Sequence, residues 1–287
     1  MEARELPDAR VVVTATGRQN GDRGSGLHLE DAGGPVTLDL RELLTVDAHF
    51  AARLAAWLDV QSAAGRSVEV APPGSPSVAR QMARLGCSTD LPAGCTFSLP
   101  DLVVGPRDDV LLPLTRLEDS DQINELTIVL RKLLSDQFPD SRISDAMVLI
   151  LQELGDNATS HGQSDLGAYV CASRAGPTRC NLAIGDLGVG VPTHIRRIDA
   201  SLMGDGAAIA HAVQPGVSGT PDPDRGDGYH AMLETVRRNA VARMDLHVWS
   251  GNGTHRIDIQ RDHRDEHHTA DIETHTSGTW IALEMDA

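Results

Sequence analysis

The chain has 287 residues, of which 40% are hydrophobic and 23% charged, as in an ordinary soluble protein that buries its own core. Its net charge of −16 excludes a polyphosphate backbone as the partner of the surface as a whole. No apolar stretch reaches the roughly 20 residues that cross a bilayer, and the amino terminus lacks the order of a signal peptide. Its four cysteines show no paired short spacing, so we expect a cytoplasmic protein with reduced thiols, bound to neither membrane nor nucleic acid directly.

The basic residues are almost all arginine, since the 25 lysines and arginines include a single lysine, Lys132. A phosphate-binding loop of the GxxxxGK[ST] type needs a lysine after its glycine, and the chain has none there. The usual protein kinase site needs a lysine on a strand, whereas Lys132 lies in the helical pattern 123–134. A nucleotide site in this chain must therefore work without either common lysine.

The first hundred residues alternate between strand and helix patterns, which predicts an α/β domain, 1–98, with helices packed on a sheet. Runs rich in β-branched residues and bounded by glycine predict strands. Helical spacing predicts two helices, the first of them with one largely apolar face. The predicted elements are strands 10–15, 35–40 and 67–71 and helices 48–64 and 77–85.

After a linker, 99–109, the residues 110–287 predict a second α/β domain. Its first strand contains Pro113, which suits an edge position, and Asp119 or Ser120 can cap the helix that follows. The predicted elements in chain order are strand 110–115, helix 122–137, a helix through 146–158, strands 167–173 and 180–184, a long stretch rich in glycine and proline, helix 229–239, and strands 245–250, 255–260 and 279–284.

A glutamate and an asparagine lie four residues apart at the end of the apolar run 146–151. In a helix, Glu153 and Asn157 share one face. A carboxylate at the edge of a packed core can act as a base, and an amide oxygen can bind a hard cation. Taken alone, the pair is better explained as part of a solvated helix face, so its meaning depends on the motifs downstream.

The segment Ile184-Gly-Asp-Leu-Gly-Val-Gly places an aspartate at the end of an apolar strand and glycines directly after it. Asp186 can accept a hydrogen bond from an exocyclic amine, while Gly188 and Gly190 let a ligand approach the backbone. The rival interpretation is a dinucleotide-binding turn, which leads straight into a helix and precedes an acidic strand end by about 20 residues. Because Val191-Pro192 follows here, we favour the first interpretation.

Two further motifs complete the set. Gly226 and Gly228 open a predicted helix, whose free N–H groups and positive dipole end suit phosphate oxygens. Ser277-Gly-Thr279 begins the last predicted strand. The HxxEH pattern of some zinc peptidases occurs at 263–267, but the polar segment around it predicts a solvated hairpin loop and at most adventitious metal binding.

In this order the motifs resemble the ATP-binding domain of the GHKL superfamily, which includes gyrase-type ATPases, histidine kinases, MutL-like proteins and bacterial anti-sigma serine kinases. The resemblance covers about 110–287 and implies ATP and Mg²⁺ as ligands, with a mobile lid at 191–224. It makes Glu153 the catalytic glutamate, Asn157 the magnesium ligand and Asp186 the adenine-reading carboxylate. The other residues it places at the nucleotide are Gly188, Gly190, Gly226, Gly228 and Thr279.

The anti-sigma serine-kinase branch fits best. No His-Glu or His-Asp dipeptide, the mark of a histidine kinase phosphoacceptor, occurs in the chain. Gyrase-like and MutL-like ATPases draw a lysine from a domain that follows the ATP-binding domain, and no such lysine occurs here. The domain 1–98 resembles STAS domains, the partners of such kinases, although 46–49 reads Val-Asp-Ala-His where a STAS partner has its acceptor serine.

The resemblance therefore implies an N-terminal STAS-like α/β domain and a C-terminal GHKL (Bergerat) α/β sandwich, with a mixed sheet and a helical layer. The implied activity is phosphotransfer to a serine or threonine of a regulatory partner, such as a sigma factor or STAS-type protein, or slow ATP hydrolysis. The alternative is a non-catalytic module in which ATP switches protein binding. Either could operate as a homodimer.

Overall fold

The computed structural model describes residues 11–14, 35–99, 109–138, 143–162, 164–217, 228–238, 242–260 and 265–286. Within these ranges the chain forms two separate β-sheets with helices packed against them. The predicted α/β class is confirmed. The division into 1–98 and 110–287 stays a prediction, because most of the linker lies outside the described residues.

The first sheet has four strands in the order β1-β2-β3-β4, and each neighbouring pair is parallel. The Asp47 carboxylate caps the first helix by accepting a hydrogen bond from the Phe50 N–H at 2.8 Å. The last strand of this sheet was not predicted, because its three residues are too few to show an alternation of apolar and polar side chains. The elements are β1 (Val11–Thr14), β2 (Val36–Asp39), α1 (Ala48–Ala63), β3 (Val68–Ala71), α2 (Pro76–Leu85) and β4 (Cys95–Phe97).

The second sheet has the order β5-β6-β7-β9-β8, with every neighbouring pair antiparallel rather than mixed as the resemblance implies. Pro113 lies on the edge strand, as predicted, within a shift of register between Leu112 and Thr115. The elements are β5 (Val110–Leu117), α3 (Ser120–Gln137), α4 (Ile143–Asp156), a π-helical turn (Asn157–His161), β6 (Ala168–Arg174), β7 (Arg179–Asp186), α5 (Val191–Ile198), α6 (Asp205–Ala212), α7 (Gly228–Arg238), β8 (Arg243–Gln260) and β9 (Asp265–Asp286).

One face of the second sheet forms the main core with a layer of helices. Leu130 of α3, Leu151 of α4 and Met232 of α7 belong to one buried cluster with Ile184 of β7 and Leu283 of β9. Burying each such side chain contributes about 1.5–3 kcal/mol. The carboxyl end of α4, which carries Glu153, is thereby fixed over the sheet near the end of β7.

The glycine- and proline-rich stretch, in which no helix was predicted, contains α5 and α6. Neither helix was recognised because Gly190 and Gly204 stand at the helix N-caps and Pro192 lies in the first turn of α5, where proline suits a helix start. Asp205 joins α6 to strand β8 and to α5. Its carboxylate accepts hydrogen bonds from the Asn252 N–H of β8 and from the Arg196 side chain of α5, both at 2.6 Å.

The polar segment predicted as a hairpin loop is also largely strand, because β9 begins at Asp265 and pairs with β8. Its side chains at 266–270 are exposed, as in the predicted solvated hairpin. The strands are polar there, so alternation of apolar residues could not reveal them. His263 lies outside the described residues.

Helix α1 packs between the two sheets and is buried on more than the single face predicted. Leu54 and Leu58 belong to a buried cluster with strands β2 and β3. Ala52 and Ala56, one turn apart, lie instead in a cluster with residues of the second sheet, where their small side chains let the helix approach closely. The Tyr169 hydroxyl of β6 donates a hydrogen bond to the α1 residue Asp59 at 2.5 Å.

No helix in the described ranges is both long and apolar enough to cross a membrane. Cys87, Cys95, Cys171 and Cys180 are all free thiols. Burial raises the pKa of Cys87 and of Cys180 to about 12, so these thiols stay protonated and unreactive near neutral pH.

Candidate functional site

Asp186 lies at the end of β7, where it is paired with Thr279 of β9. Its side chain is 4% exposed, and its Oδ1 accepts a hydrogen bond from the Gly188 N–H at 2.7 Å. Burial raises the pKa of Asp186 to about 6, against the opposing effect of hydrogen bonds from the Gly188 and Thr279 backbones. Asp186 forms no ion pair within the described residues. A buried carboxylate of this kind suits a neutral donor such as an exocyclic amine.

The turn after Asp186 packs directly on the end of the Glu153 helix. The Val189 N–H donates a hydrogen bond to the Gly162 carbonyl at 3.1 Å. A β-carbon on Gly188 would lie 1.4 Å from that carbonyl oxygen, and one on Gly162 would lie 2.9 Å from the Asp186 carboxyl carbon. Glycine is therefore required at both positions. Gly162 was not assigned a role from the sequence, although it lies only five residues after Asn157.

Ser250 of β8 joins the two glycine turns. Its side chain is 0% exposed, and its hydroxyl donates a hydrogen bond to the Gly278 carbonyl at 2.6 Å while accepting one from the Val191 N–H at 3.0 Å. Gly190 and Gly278 both adopt positive φ, at 78° and 72°. Ser250 thereby connects the turn after Asp186 to the turn before Thr279. No local pattern marks Ser250 as a site residue, because a serine at the end of a predicted strand is common.

Glu153 and Asn157 lie at the carboxyl end of α4 and in the π-helical turn that continues it. Both side chains are half-buried, and neither forms a hydrogen bond or ion pair with another described residue. Burial raises the pKa of Glu153, and the neighbouring Asp156 raises it further. Turns of π-helix are rare and occur frequently at functional sites. Both side chains are therefore available to a ligand.

The second glycine motif is only partly described. Gly226 lies outside the described residues, whereas Gly228 is the first residue of α7. Helix α7 packs on α4 through the core that includes Met232 and Leu233. The predicted lid, 191–224, includes α5 and α6, and its last residues from 218 onward also lie outside the description.

The glycine turn after Asp186 was predicted not to lead straight into a helix, and this was wrong, because α5 begins at Val191. The strand directions nevertheless exclude a dinucleotide-binding turn. A dinucleotide-binding turn belongs to a parallel β-α-β unit. Strand β7 is instead antiparallel to both of its neighbours. The described residues also contain no group of three or more His, Cys, Asp or Glu side chains arranged to hold a metal ion.

Comparisons with known proteins identify no family. No family model matches the chain, and no curated protein does. The solved structures that align with it include the B subunit of DNA gyrase from Myxococcus xanthus and a mycobacterial sensor histidine kinase. The gyrase match has 14% identity and a TM-score of 0.30, and covers 56% of this chain but only 43% of the gyrase chain. The kinase match has 15% identity and a TM-score of 0.29, and covers 60% of this chain and 95% of the kinase chain.

Proposed function

We propose that the protein binds Mg-ATP in a site of the GHKL type and acts as a regulatory protein of the anti-sigma serine-kinase kind, with a STAS-like domain at its amino terminus. The observation that carries the proposal is the arrangement around Asp186. A buried carboxylate without an ion-pair partner in the described residues lies between two glycine turns where backbone approaches closely. Such a carboxylate can read the exocyclic amine of adenine.

The other motifs would bind the polyphosphate end of the ligand. Asn157 supplies an amide oxygen for Mg²⁺, and the bound ion would neutralise charge on the phosphates. The start of α7 at Gly228 offers free N–H groups to phosphate oxygens. Glu153, with its raised pKa, would accept the proton of the attacking hydroxyl. That oxygen then bonds to the γ-phosphorus, the bond to the β,γ-bridging oxygen breaks, and ADP leaves.

The phosphoacceptor in this proposal is a serine or threonine of a partner protein, or else water. Self-phosphorylation at the start of α1 is not part of it, because 46–49 reads Val-Asp-Ala-His and offers no serine or threonine hydroxyl as the acceptor. The same observation favours the second candidate function, a module in which ATP switches protein binding without catalysis.

Binding of Mg-ATP tests both candidates. In calorimetry, we expect wild type to bind and Asp186→Ala to bind about 5- to 150-fold more weakly, because a buried hydrogen bond is worth about 1–3 kcal/mol. Asp145→Ala is the matched control, since this aspartate is exposed and its one ion pair within the described residues is with Arg131. Transfer of labelled γ-phosphate to water or to candidate partners separates the enzyme from the switch.

A further inference from the structure

The face of the second sheet opposite the candidate site carries aromatic side chains that α1 covers. Side chains alternate along a strand, so Thr279 and Ser250 face the site while their neighbours Trp280 and Trp249 face α1. The two tryptophans lie opposite each other in the β8–β9 pairing, and their side chains are 2% and 1% exposed. The same two strand segments, 249–250 of β8 and 279–280 of β9, therefore face the candidate site on one side and contact α1 on the other.

Trp280 contacts the backbone that carries Asp186. Its partner in the β7–β9 pairing is Gly185, and a β-carbon on Gly185 would lie 2.3 Å from the indole ring. The ring thus occupies the space where a side chain at 185 would lie. Its Nε1–H also donates a hydrogen bond to the Ser277 carbonyl at 3.1 Å, next to the turn before Thr279. Trp280 therefore holds both strands from which the site is built.

Helix α1 in turn holds Trp280. The Arg53 guanidinium lies 5.5 Å from the centre of a Trp280 ring, within the range of a cation–π interaction. The Arg53 Nη1 is buried and has no hydrogen-bond partner among the described residues. Burial lowers the pKa of Arg53 to about 10, so the group still carries its charge at neutral pH. The edge of His49 lies on the same indole, with the ring centres 6.3 Å apart.

Trp249 provides an internal comparison, because it is equally buried but one strand further from Asp186. It stacks on His49 with the ring centres 4.6 Å apart and on His247 with the centres 3.7 Å apart. In the sheet order, β9 separates its strand from β7. Trp249 thus takes part in the same domain contact without lying on the strand of the carboxylate.

We propose that Trp280 is a positioning residue for the adenine-reading carboxylate of Asp186, and that Arg53 of the amino-terminal unit holds Trp280 in place. Nucleotide affinity then depends on the docking of α1 against the sheet. This inference rests on the proposed function, since it assigns a role at the same site.

The test compares Trp280→Leu with Trp249→Leu in the full chain, with Mg-ATP and Mg-tripolyphosphate as ligands in calorimetry. Trp280→Leu should weaken Mg-ATP binding about tenfold, or ~1.4 kcal/mol, because the carboxylate loses its position. Its affinity for tripolyphosphate, which has no base, should not change. Trp249→Leu should keep its Mg-ATP affinity within about twofold despite a comparable loss of thermal stability.

Two milder variants keep the inference testable if Trp280→Leu fails to fold. Arg53→Met retains the aliphatic stem and removes the charge over the ring, so Mg-ATP affinity should fall about two- to fivefold with tripolyphosphate unaffected. Trp280→Phe keeps a ring over Gly185 but loses the bond to Ser277, and should restore most of the affinity lost in Trp280→Leu.

The outcomes distinguish this inference from the proposed function. If Asp186→Ala weakens Mg-ATP binding but Trp280→Leu and Arg53→Met bind like Trp249→Leu, the positioning role is overturned and the nucleotide site stands. An equal loss for Mg-ATP and tripolyphosphate in Trp280→Leu also overturns it, because the effect would then not act through the base. If wild type binds no Mg-ATP, both proposals fail.

Discussion

The candidate site has two halves that differ in how completely the protein alone organises them. Around Asp186, the carboxylate accepts a hydrogen bond within its own turn, the Ser250 hydroxyl joins the two glycine turns, and the glycines have no space for a side chain. Around Glu153, the side chains of Glu153 and Asn157 have no described hydrogen-bond partner and are half-buried. In the proposed site, the half around Asp186, which would read the base, is therefore fixed by the protein's own contacts, whereas the half around Glu153 and Asn157, which would face the phosphates, leaves both side chains available to a ligand. Mutations in the two halves should therefore fail in different ways.

The largest expected effect belongs to the phosphate half. Glu153→Gln should lower the rate of γ-phosphate transfer or hydrolysis about 10²- to 10⁴-fold, because the amide cannot accept the proton. Affinity for Mg-ATP should be retained. Initial rates with labelled ATP measure the first quantity and calorimetry the second.

Asp145→Asn, an exposed acid on the same helix, is the control for that experiment and should keep the wild-type rate. An unchanged rate in Glu153→Gln would remove this residue from catalysis. If wild type also showed no turnover with any acceptor, the ATP-switched binding module would become the preferred function.

The base-reading half should fail through folding, and two glycines with the same backbone angle test this. Gly278 has φ of 72° and Gly65 has φ of 71°. A β-carbon at 278 would lie 1.9 Å from the Asp186 carbonyl oxygen, whereas nothing lies within 4 Å at 65. We expect Gly65→Ala to cost about 1–2 kcal/mol of unfolding free energy and Gly278→Ala more than about 3 kcal/mol.

Urea unfolding of both variants measures the difference. Equal costs would show that the turn at 278 relaxes freely, which would contradict a pre-formed base-reading half.

The raised pKa of Asp186 predicts that acid weakens nucleotide binding. Its value of about 6 lies above that of an unfolded aspartate, so the buried carboxylate takes up a proton as the pH falls through 6. The protonated form accepts a hydrogen bond from the adenine amine more weakly, because its negative charge is lost. Affinity for Mg-ATP should therefore fall, by up to about tenfold, between pH 7 and pH 5.

Glu153→Gln is the background for this titration, because it leaves Asp186 as the titrating acid of the site. ATP itself also gains a proton in this range. Glu153→Gln with Asp186→Asn measures that contribution and should show a shallower dependence. Identical slopes in the single and double variants would show that Asp186 does not control binding.

Much of this arrangement was predictable from local patterns. The motif at 184–190 placed a carboxylate beside glycines because strand ends and positive φ have clear signatures, and the strand pairing brings Thr279 opposite Asp186. Contacts between distant segments were not predictable. The Gly162 carbonyl against Gly188 and the Ser250 hydroxyl against Gly278 depend on antiparallel strand order, which composition does not reveal.

The burial of α1 on two sides could have been predicted from its alanine residues. The helix is rich in alanine on the side away from Leu54 and Leu58, and Ala52 and Ala56 recur at helical spacing. A helix that is apolar all round is buried on all sides. The polar residues His49 and Arg53 obscured that signal, because His49 is buried and Arg53 half-buried against aromatic rings.

Calorimetry with Mg-ATP and Mg-GTP on wild type and Asp186→Ala measures whether Asp186 reads the base of a bound nucleotide. Guanine presents a carbonyl oxygen where adenine presents its amine, so a carboxylate at this position repels it. We predict that wild type prefers Mg-ATP and that Asp186→Ala loses both affinity and preference. Wild-type binding that is absent, or equal for the two nucleotides and indifferent to Asp186→Ala, would show that Asp186 does not read adenine.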